Sequence, residues 1–383
     1  MRIAFYAPLK PPTHPTPSGD RRVARLLRAA LRRSGHEVRL ASKLRSRAAE
    51  PDPKALDTLR RRGERTAARL IERARAAPAR ERPQLWFTYH LYYKAPDWLG
   101  PAVADALSIP YVVAEASHAP KRAAGPWADY HAAVEAAIRR ADLVIGLNPA
   151  DLDCVAPLRP ASRAPLALKP FLDPKPFAAA ASARKTHRAE LARRLKLDPN
   201  QPWLLAVAMM RPGDKEASYR VLAEALARLA DRPWQLVIVG DGEAKPAVES
   251  AFTPVADRVR YLPAIPLKAL PTIYASADLF VWPAVNEAFG MALLEAQASG
   301  LPVVAGDGGG VPAIVAHSRT GLLTPMGDAA AFAQAVAVLL NDPEKRRAMG
   351  AAAMRSVAAD HAIDGAAAML DAALAALVGG SRS

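Results

Sequence analysis

Apolar runs of four to seven residues recur along the whole chain, and segments with helical spacing of apolar positions separate them. In the first half the runs at 2–7, 37–41, 85–89, 111–114 and 143–147 predict strands. The segments 20–34, 54–76, 97–107 and 130–140 predict helices. The second half repeats the scheme, with strands expected at 203–209, 235–239, 259–262, 279–282 and 302–305. Strands that are apolar throughout, rather than alternating, belong to parallel sheets covered on both faces. Two such series predict an α/β chain of two doubly wound, Rossmann-like domains, each with its ligand crevice at the carboxyl ends of its strands. A proline-punctuated stretch at 157–176 and an alanine-rich charged stretch after it place the junction. The expected division is 1–172, a linker at 173–200, and 201–361, with a last helix at 362–383 completing the first domain. Facing crevices would form a central cleft closed by a hinge.

Composition narrows the class. The 383 residues are 51% hydrophobic, enough for two cores, and the single cysteine, Cys154, excludes an internal disulfide and a cysteine-based metal cluster. The opening residues 1–8 read as a strand rather than a leader, and no apolar run reaches the ~20 residues of a membrane span. A cytoplasmic protein is expected. The charge of +15 is concentrated: residues 1–82 hold 22 Lys/Arg against 8 Asp/Glu, a local +14. In the helix expected at 54–76, apolar or small residues at 56, 59, 63, 67, 70 and 74 form a stripe. Arg60, Arg61, Arg62, Arg65, Arg69 and Arg73 fill much of the remainder. Such a face is either solvated surface or a peripheral contact with anionic lipid. No nucleic-acid-binding motif accompanies the charge, and nucleic acid is not an expected partner.

The chemistry gathers in the stretch 279–310. After a strand ending at Trp282, Glu287 precedes a helix expected at 290–299, and Glu295 lies inside that helix. A helix start presents unpaired N–H groups and a positive dipole end, a seat for phosphate or a sugar hydroxyl. Gly290 admits a ligand close to the backbone. Glu287 is placed to accept from hydroxyls, and Glu295 suits the vicinal hydroxyls of a ribose. The next strand runs into Gly306-Asp307-Gly308-Gly309-Gly310, a loop whose backbone must approach something closely. Upstream, Arg211 and Lys215 share a strand-to-helix loop and suit a diphosphate, the first as a fork and the second as a point charge. Gly240 lies in a tight turn after the following strand.

In this order, Arg211 with Lys215, the turn VIVGDGE and the run NEAFGMALLEAQASGLPVVAGDGGGVPAIV resemble the nucleotide-sugar domain of glycosyltransferase family 4. These are retaining transferases with the GT-B fold, and the resemblance spans residues 209–325. It implies that Arg211 and Lys215 hold the diphosphate of a nucleoside diphosphate sugar and Glu295 its ribose. Glu287, with the amides of Phe289, Gly290 and Met291, would contact the transferred sugar and the phosphate. Where the family carries a glutamate, this chain has Ala313, which removes a favourable charge from a helical first turn.

In the first half, Ser18-Gly19-Asp20 resembles the family's amino-terminal glycine loop, with one glycine where two are common; Gly19 is the residue it assigns to the donor phosphates. His118 matches a cleft histidine and His90 is a second candidate, whereas His14, His36 and His131 read as structural. Tyr92, Tyr93, Lys94, Trp98, Lys121 and Arg122 either line an acceptor pocket or belong to surface loops. The implied reaction retains configuration by a same-face path, with charge stabilisation and positioning as the catalytic terms. Neither cofactor nor metal is expected, and Asp151-Leu152-Asp153 reads as a helix start. The acceptor is unidentified, with glycolipids and envelope polysaccharide precursors among the candidates. A GT-B epimerase or phosphorylase would need its own catalytic set, which the sequence does not display. A sugar-binding protein of the two-domain periplasmic type would need export, which the strand-like amino terminus argues against, and a nucleic-acid-binding protein would have no use for the Glu287/Glu295 arrangement.

Overall fold

The computed structural model describes residues 1–16 and 18–379; Pro17 of the glycine-loop motif and positions 380–383 of the expected last helix lie outside the described residues. The chain forms two units, Met1–Lys169 with Ile363–Ser383, and Pro170–Ala362.

The first unit runs β1 Arg2–Tyr6, α1 Gly19–Arg33, β2 Glu37–Leu40, α2 Pro53–Ala76, β3 Leu85–Leu91, α3 Gly100–Leu107 and β4 Tyr111–Ala116. It continues with α4 Ala128–Arg140, β5 Leu143–Gly146, α5 Pro149–Val155 and β6 Leu166–Ala167. The second unit runs α6 Lys175–Ser182, α7 Arg184–Leu195, β7 Trp203–Val207, α8 Asp214–Ala227, β8 Gln235–Val239, α9 Lys245–Ala251 and β9 Val259–Leu262. Then come α10 Leu270–Ser276, β10 Leu279–Trp282, α11 Met291–Ala298, β11 Val303–Asp307, β12 Gly321–Pro325, α12 Ala329–Asn341 and α13 Pro343–Asp360. The last helix, α14 Ile363–Gly379, returns to the first unit and packs on α1, with Arg33 paired to Asp364.

Each unit holds one six-stranded parallel sheet, ordered β2-β1-β3-β4-β5-β6 in the first and β12-β11-β10-β7-β8-β9 in the second. This is the doubly wound α/β architecture that the apolar strands predict. β6 and β12 are edge strands that the hydrophobic pattern does not reveal; β6 has only two residues. The strand order reverses between β1 and β3 in one sheet and between β7 and β10 in the other. In open α/β sheets those switch points are where ligands bind.

The segment 173–200 is not a linker. Phe177 of α6 is buried edge-on to Tyr274 of α10. From α7, Arg184 and Arg188 donate to Ala275 O and Ser276 O, both at 2.7 Å, and both pair with Asp278. The Arg188 guanidinium also lies 3.9 Å from the centroid of the Trp203 ring. Alanine and arginine richness looks like a solvated connection in sequence, yet here the arginines cap carbonyl ends of α10.

On α2 the stripe is used for packing: Leu56, Gly63 and Ala67 are buried, and Gly63 leaves room for the Trp98 side chain. Arg60, Arg61, Arg62, Arg65, Arg69 and Arg73 are exposed. Among the described residues no helix is long and apolar enough to cross a membrane.

Candidate functional site

The β7/β10 switch point carries two loops that interlock. The loop after β7 leads through Arg211 into α8, whose N-cap is Gly213 and whose first turn contains Asp214 and Lys215. The loop after β10 contains Ala284 and Asn286, both in the left-handed region (φ 54° and 49°), and then Glu287. Left-handed backbone at non-glycine residues costs on the order of 1 kcal/mol or more each and persists only where the surroundings hold it. Here Ser218 Oγ accepts from Val285 N at 3.0 Å, and Asn286 Nδ2 donates to Asp214 Oδ1 at 2.9 Å. Lys215 Nζ forms an ion pair with Glu287 Oε2, which Trp282 Nε1 also approaches at 3.4 Å. The same ammonium sits 5.5 Å from the centre of the Trp282 ring, and that ring is met edge-on by Tyr219.

The pair is only partly withdrawn from water, with side chains 26% and 17% exposed. A cation and an anion therefore stand matched at the crevice, the cation available to a phosphate and the anion to hydroxyls. Arg211 is exposed at the same strand end. The third wall is α11, whose N-cap Gly290 supplies no side-chain cap to the first turn.

Two glycines carry reasons that differ from the sequence expectation. Gly290 adopts φ +67°, and a Cβ there would stand 2.8 Å from Leu293 Cδ1, so its backbone conformation and its own helix already require it. At Gly240 a Cβ would overlap the carbonyl oxygen of Ala208, so this turn is demanded by strand packing. Gly310 N donates to Glu287 O at 2.9 Å, which ties the glycine-rich loop to the glutamate's backbone. The turn at Val311–Ala313 is a 3-10 helix without a side-chain cap, in keeping with the missing acid at Ala313.

Glu295 stands apart from the exposed pair. It is 2% exposed and accepts from Tyr274 Oη at 2.8 Å, within the packing of α10 and α11. Phe289 is half-buried and Met291 buried at the start of the helix. Thus Lys215 and Glu287 are brought into contact, Arg211 and residues 289–291 share their strand ends, and Glu295 lies beneath the surface.

Gly19 and His118 belong to the first unit. Gly19 is exposed at the head of α1, with Ser18 as N-cap. His118 follows β4, and its Nε2 is 3.3 Å from Glu135 Oε2. Two features at the ends of β3 and β4 are not visible in the sequence. His90 (φ 64°) and Glu115 (φ 60°) are both left-handed. His90 Nδ1 pairs with Asp20 at 3.0 Å, across the β1/β3 switch point. Burial alone would lower the His90 imidazole, but Asp20 holds it above its usual range. Burial pushes the Glu115 carboxyl up to about 7, against the backbone N–H of Leu147, which it accepts. Tyr93 and Trp127 meet edge-on, flanked by Lys94 and Arg122 at 5.3 and 5.0 Å from ring centres, so Tyr93, Lys94 and Arg122 of the expected set gather around Trp127.

Residues 201–342 match the family model described as Glycosyl transferases group 1. The chain is 36% identical over 149 residues to D-inositol 3-phosphate glycosyltransferase of Corynebacterium diphtheriae, covering 37% of this chain and 35% of that one. It is 33% identical over 192 residues to the GDP-mannose-dependent alpha-(1-6)-phosphatidylinositol monomannoside mannosyltransferase of Mycobacterium tuberculosis, 48% of this chain and 49% of that one. The matches therefore span about a third to a half of those relatives. Among solved structures, Anabaena Alr3699/HepE in complex with UDP superposes with a TM-score of 0.75 at 17% identity, over 98% of this chain and 100% of that one. At that identity the likeness speaks for the fold. The chain has the GT-B fold, and its residues 201–342 match the Glycosyl transferases group 1 model.

Proposed function

We propose that this chain is a retaining glycosyltransferase that moves a sugar from a nucleoside diphosphate sugar, UDP- or GDP-linked, to a hydroxyl of a glycolipid or envelope polysaccharide precursor. The observation that carries the reading is the Lys215–Glu287 pair at the β7/β10 switch point of a group 1 domain. Lys215 and Arg211 receive the diphosphate with the first-turn amides of α11, and Glu287 accepts from hydroxyls of the sugar. Glu295 is assigned to the ribose; its burial means that nucleoside binding must compete with Tyr274 for the carboxylate. In the first unit, Gly19 and His118 are assigned to substrate contact.

The anomeric carbon–phosphate oxygen bond breaks, and the acceptor oxygen bonds to the same face of the carbon. The acceptor's proton leaves with the diphosphate. Stabilisation of the growing negative charge by fixed cations and amides lowers this barrier without a resident metal, so chelation should leave transfer intact. The relatives named above act, by their names, on an inositol phosphate and a phosphatidylinositol mannoside, which supports an anionic acceptor. The exposed arginines of α2 support peripheral contact with anionic lipid. The test is transfer of radiolabelled sugar from a panel of UDP-, GDP- and ADP-sugars to membrane extracts. Transfer from one donor, lost in Lys215→Ala, is expected; no transfer from any donor rejects the reading.

A further inference from the structure

His131 reads as structural in the sequence, but it lies in the most chemically loaded cluster outside the donor site. On α4, His131 and Glu135 are one turn apart and share a face. His118 reaches them from the segment after β4, with its ring centre 4.9 Å from that of His131. We propose that His118, His131 and Glu135 form a binding site for a zinc-class divalent ion.

One ligand atom from each residue lies within 4.8 Å of the other two. A four-coordinate zinc ion with bonds of about 2.0–2.1 Å sets its ligand atoms roughly 3.3 Å apart. His118 Nε2 and Glu135 Oε2 already stand at 3.3 Å, so only the approach of His131 needs small side-chain adjustment. His131 supplies the second observation. It is 3% exposed, and its buried Nε2 has no hydrogen-bond partner among the described residues. A hydrogen-bonded His118–Glu135 pair satisfies those two groups and leaves that nitrogen unexplained; a metal ion accounts for all three.

The surroundings fit. Arg139 donates to Glu135 Oε1 at 2.8 and 3.0 Å, which fixes the carboxylate with Oε2 toward His118. Two imidazoles and one carboxylate suit zinc better than magnesium or calcium. Three protein ligands leave a fourth position open, as in zinc sites that take water or substrate. An ion bound there engages His118 Nε2, so it acts as an accessory or inhibitory ligand rather than as a requirement for transfer.

The test needs no transferase activity. Untagged full-length protein is stripped with chelator and dialysed against Zn2+, and bound metal is counted by mass spectrometry. Co2+ loading is followed by visible absorption. One equivalent of Zn2+ and the intense visible bands of low-coordinate Co2+ are expected. His131→Ala and Glu135→Gln should each weaken binding by more than the ~10–100-fold that loss of an outer-shell partner costs. Glu135→Gln, at a partly exposed position, keeps the test available if His131→Ala does not fold. Failure to bind a stoichiometric ion overturns the proposal, as does binding that both variants retain within threefold, which would place the metal on others of the 8 histidines.

Discussion

Replacing Lys215 by methionine keeps the bulk of the side chain over Trp282 and deletes one charge. In the free protein that charge is already paired with Glu287. Donor binding therefore exchanges one anion for another instead of pairing an unpaired cation. A unit charge about 4 Å from a phosphate oxygen contributes about 4 kcal/mol gross at the effective dielectric of a half-exposed site. Partial compensation by the lost Glu287 contact brings the net to about 2 kcal/mol, within the range for hydrogen bonds to charged groups. That is roughly a 30-fold weaker Kd. Calorimetry with a nucleoside diphosphate and with the bare nucleoside separates the terms: the variant should lose affinity for the first and keep it for the second. Glu287→Gln should shift the other way, because it frees Lys215, and bind the sugar-free diphosphate as tightly as the parent or more so. Equal losses for nucleoside and diphosphate, or a diphosphate Kd unchanged within twofold in Lys215→Met, would refute the assignment.

Other outcomes follow from burial and packing. Glu295→Ala should destabilise the second unit by about 2 kcal/mol, because it removes a buried partner of Tyr274, whereas Glu295→Gln should stay within about 1 kcal/mol and still weaken nucleoside binding; urea midpoints and calorimetry check both, and intact nucleoside affinity in Glu295→Gln would remove the ribose role. Gly240→Ala should cost about 1–3 kcal/mol through overlap with the Ala208 carbonyl, while Gly19→Ala, with nothing within 4 Å of its Cβ, should leave stability unchanged, so any loss of transfer there reports on substrate. Glu115 makes stability pH-dependent. Its folded pKa of about 7 lies above the ordinary 4.5, so the native state holds a proton that the unfolded chain releases; stability from this group is full below pH 4.5 and falls by about 3 kcal/mol as pH rises to 7. Glu115→Gln should remove that fall and be the more stable form at pH 8, whereas parallel stability curves for the two proteins would count against a protonated Glu115.

The periodicity of apolar runs located ten of the twelve strands among the described residues, the central ones because strands covered on both faces need apolar residues at every position. It missed β6, which has only two residues, and β12, whose GLLTP sequence breaks its apolar pair with glycine, threonine and proline. It also misread 173–200, since nothing local distinguishes an arginine that is solvated from one that caps Ala275 and Ser276 carbonyls. Spacing placed Lys215 and Glu287 at strand ends of one sheet, yet their ion pair joins residues 72 apart and depends on the strand order. The depth of Glu295 was hidden for the same reason: its partner Tyr274 comes from another helix. Left-handed His90 and Glu115 have no sequence signature, as both residue types are ordinary at strand ends. The grouping of His131 with His118 is likewise tertiary, for only the four-residue step from His131 to Glu135 can be read locally.

The most direct measurement is a crystal structure of the protein soaked with a nucleoside diphosphate. The diphosphate is predicted within hydrogen-bonding distance of Lys215 Nζ and the first-turn amides of α11, with Glu287 displaced from its ion pair. Density for the nucleotide at any other place, with the Lys215–Glu287 contact intact, would contradict the account.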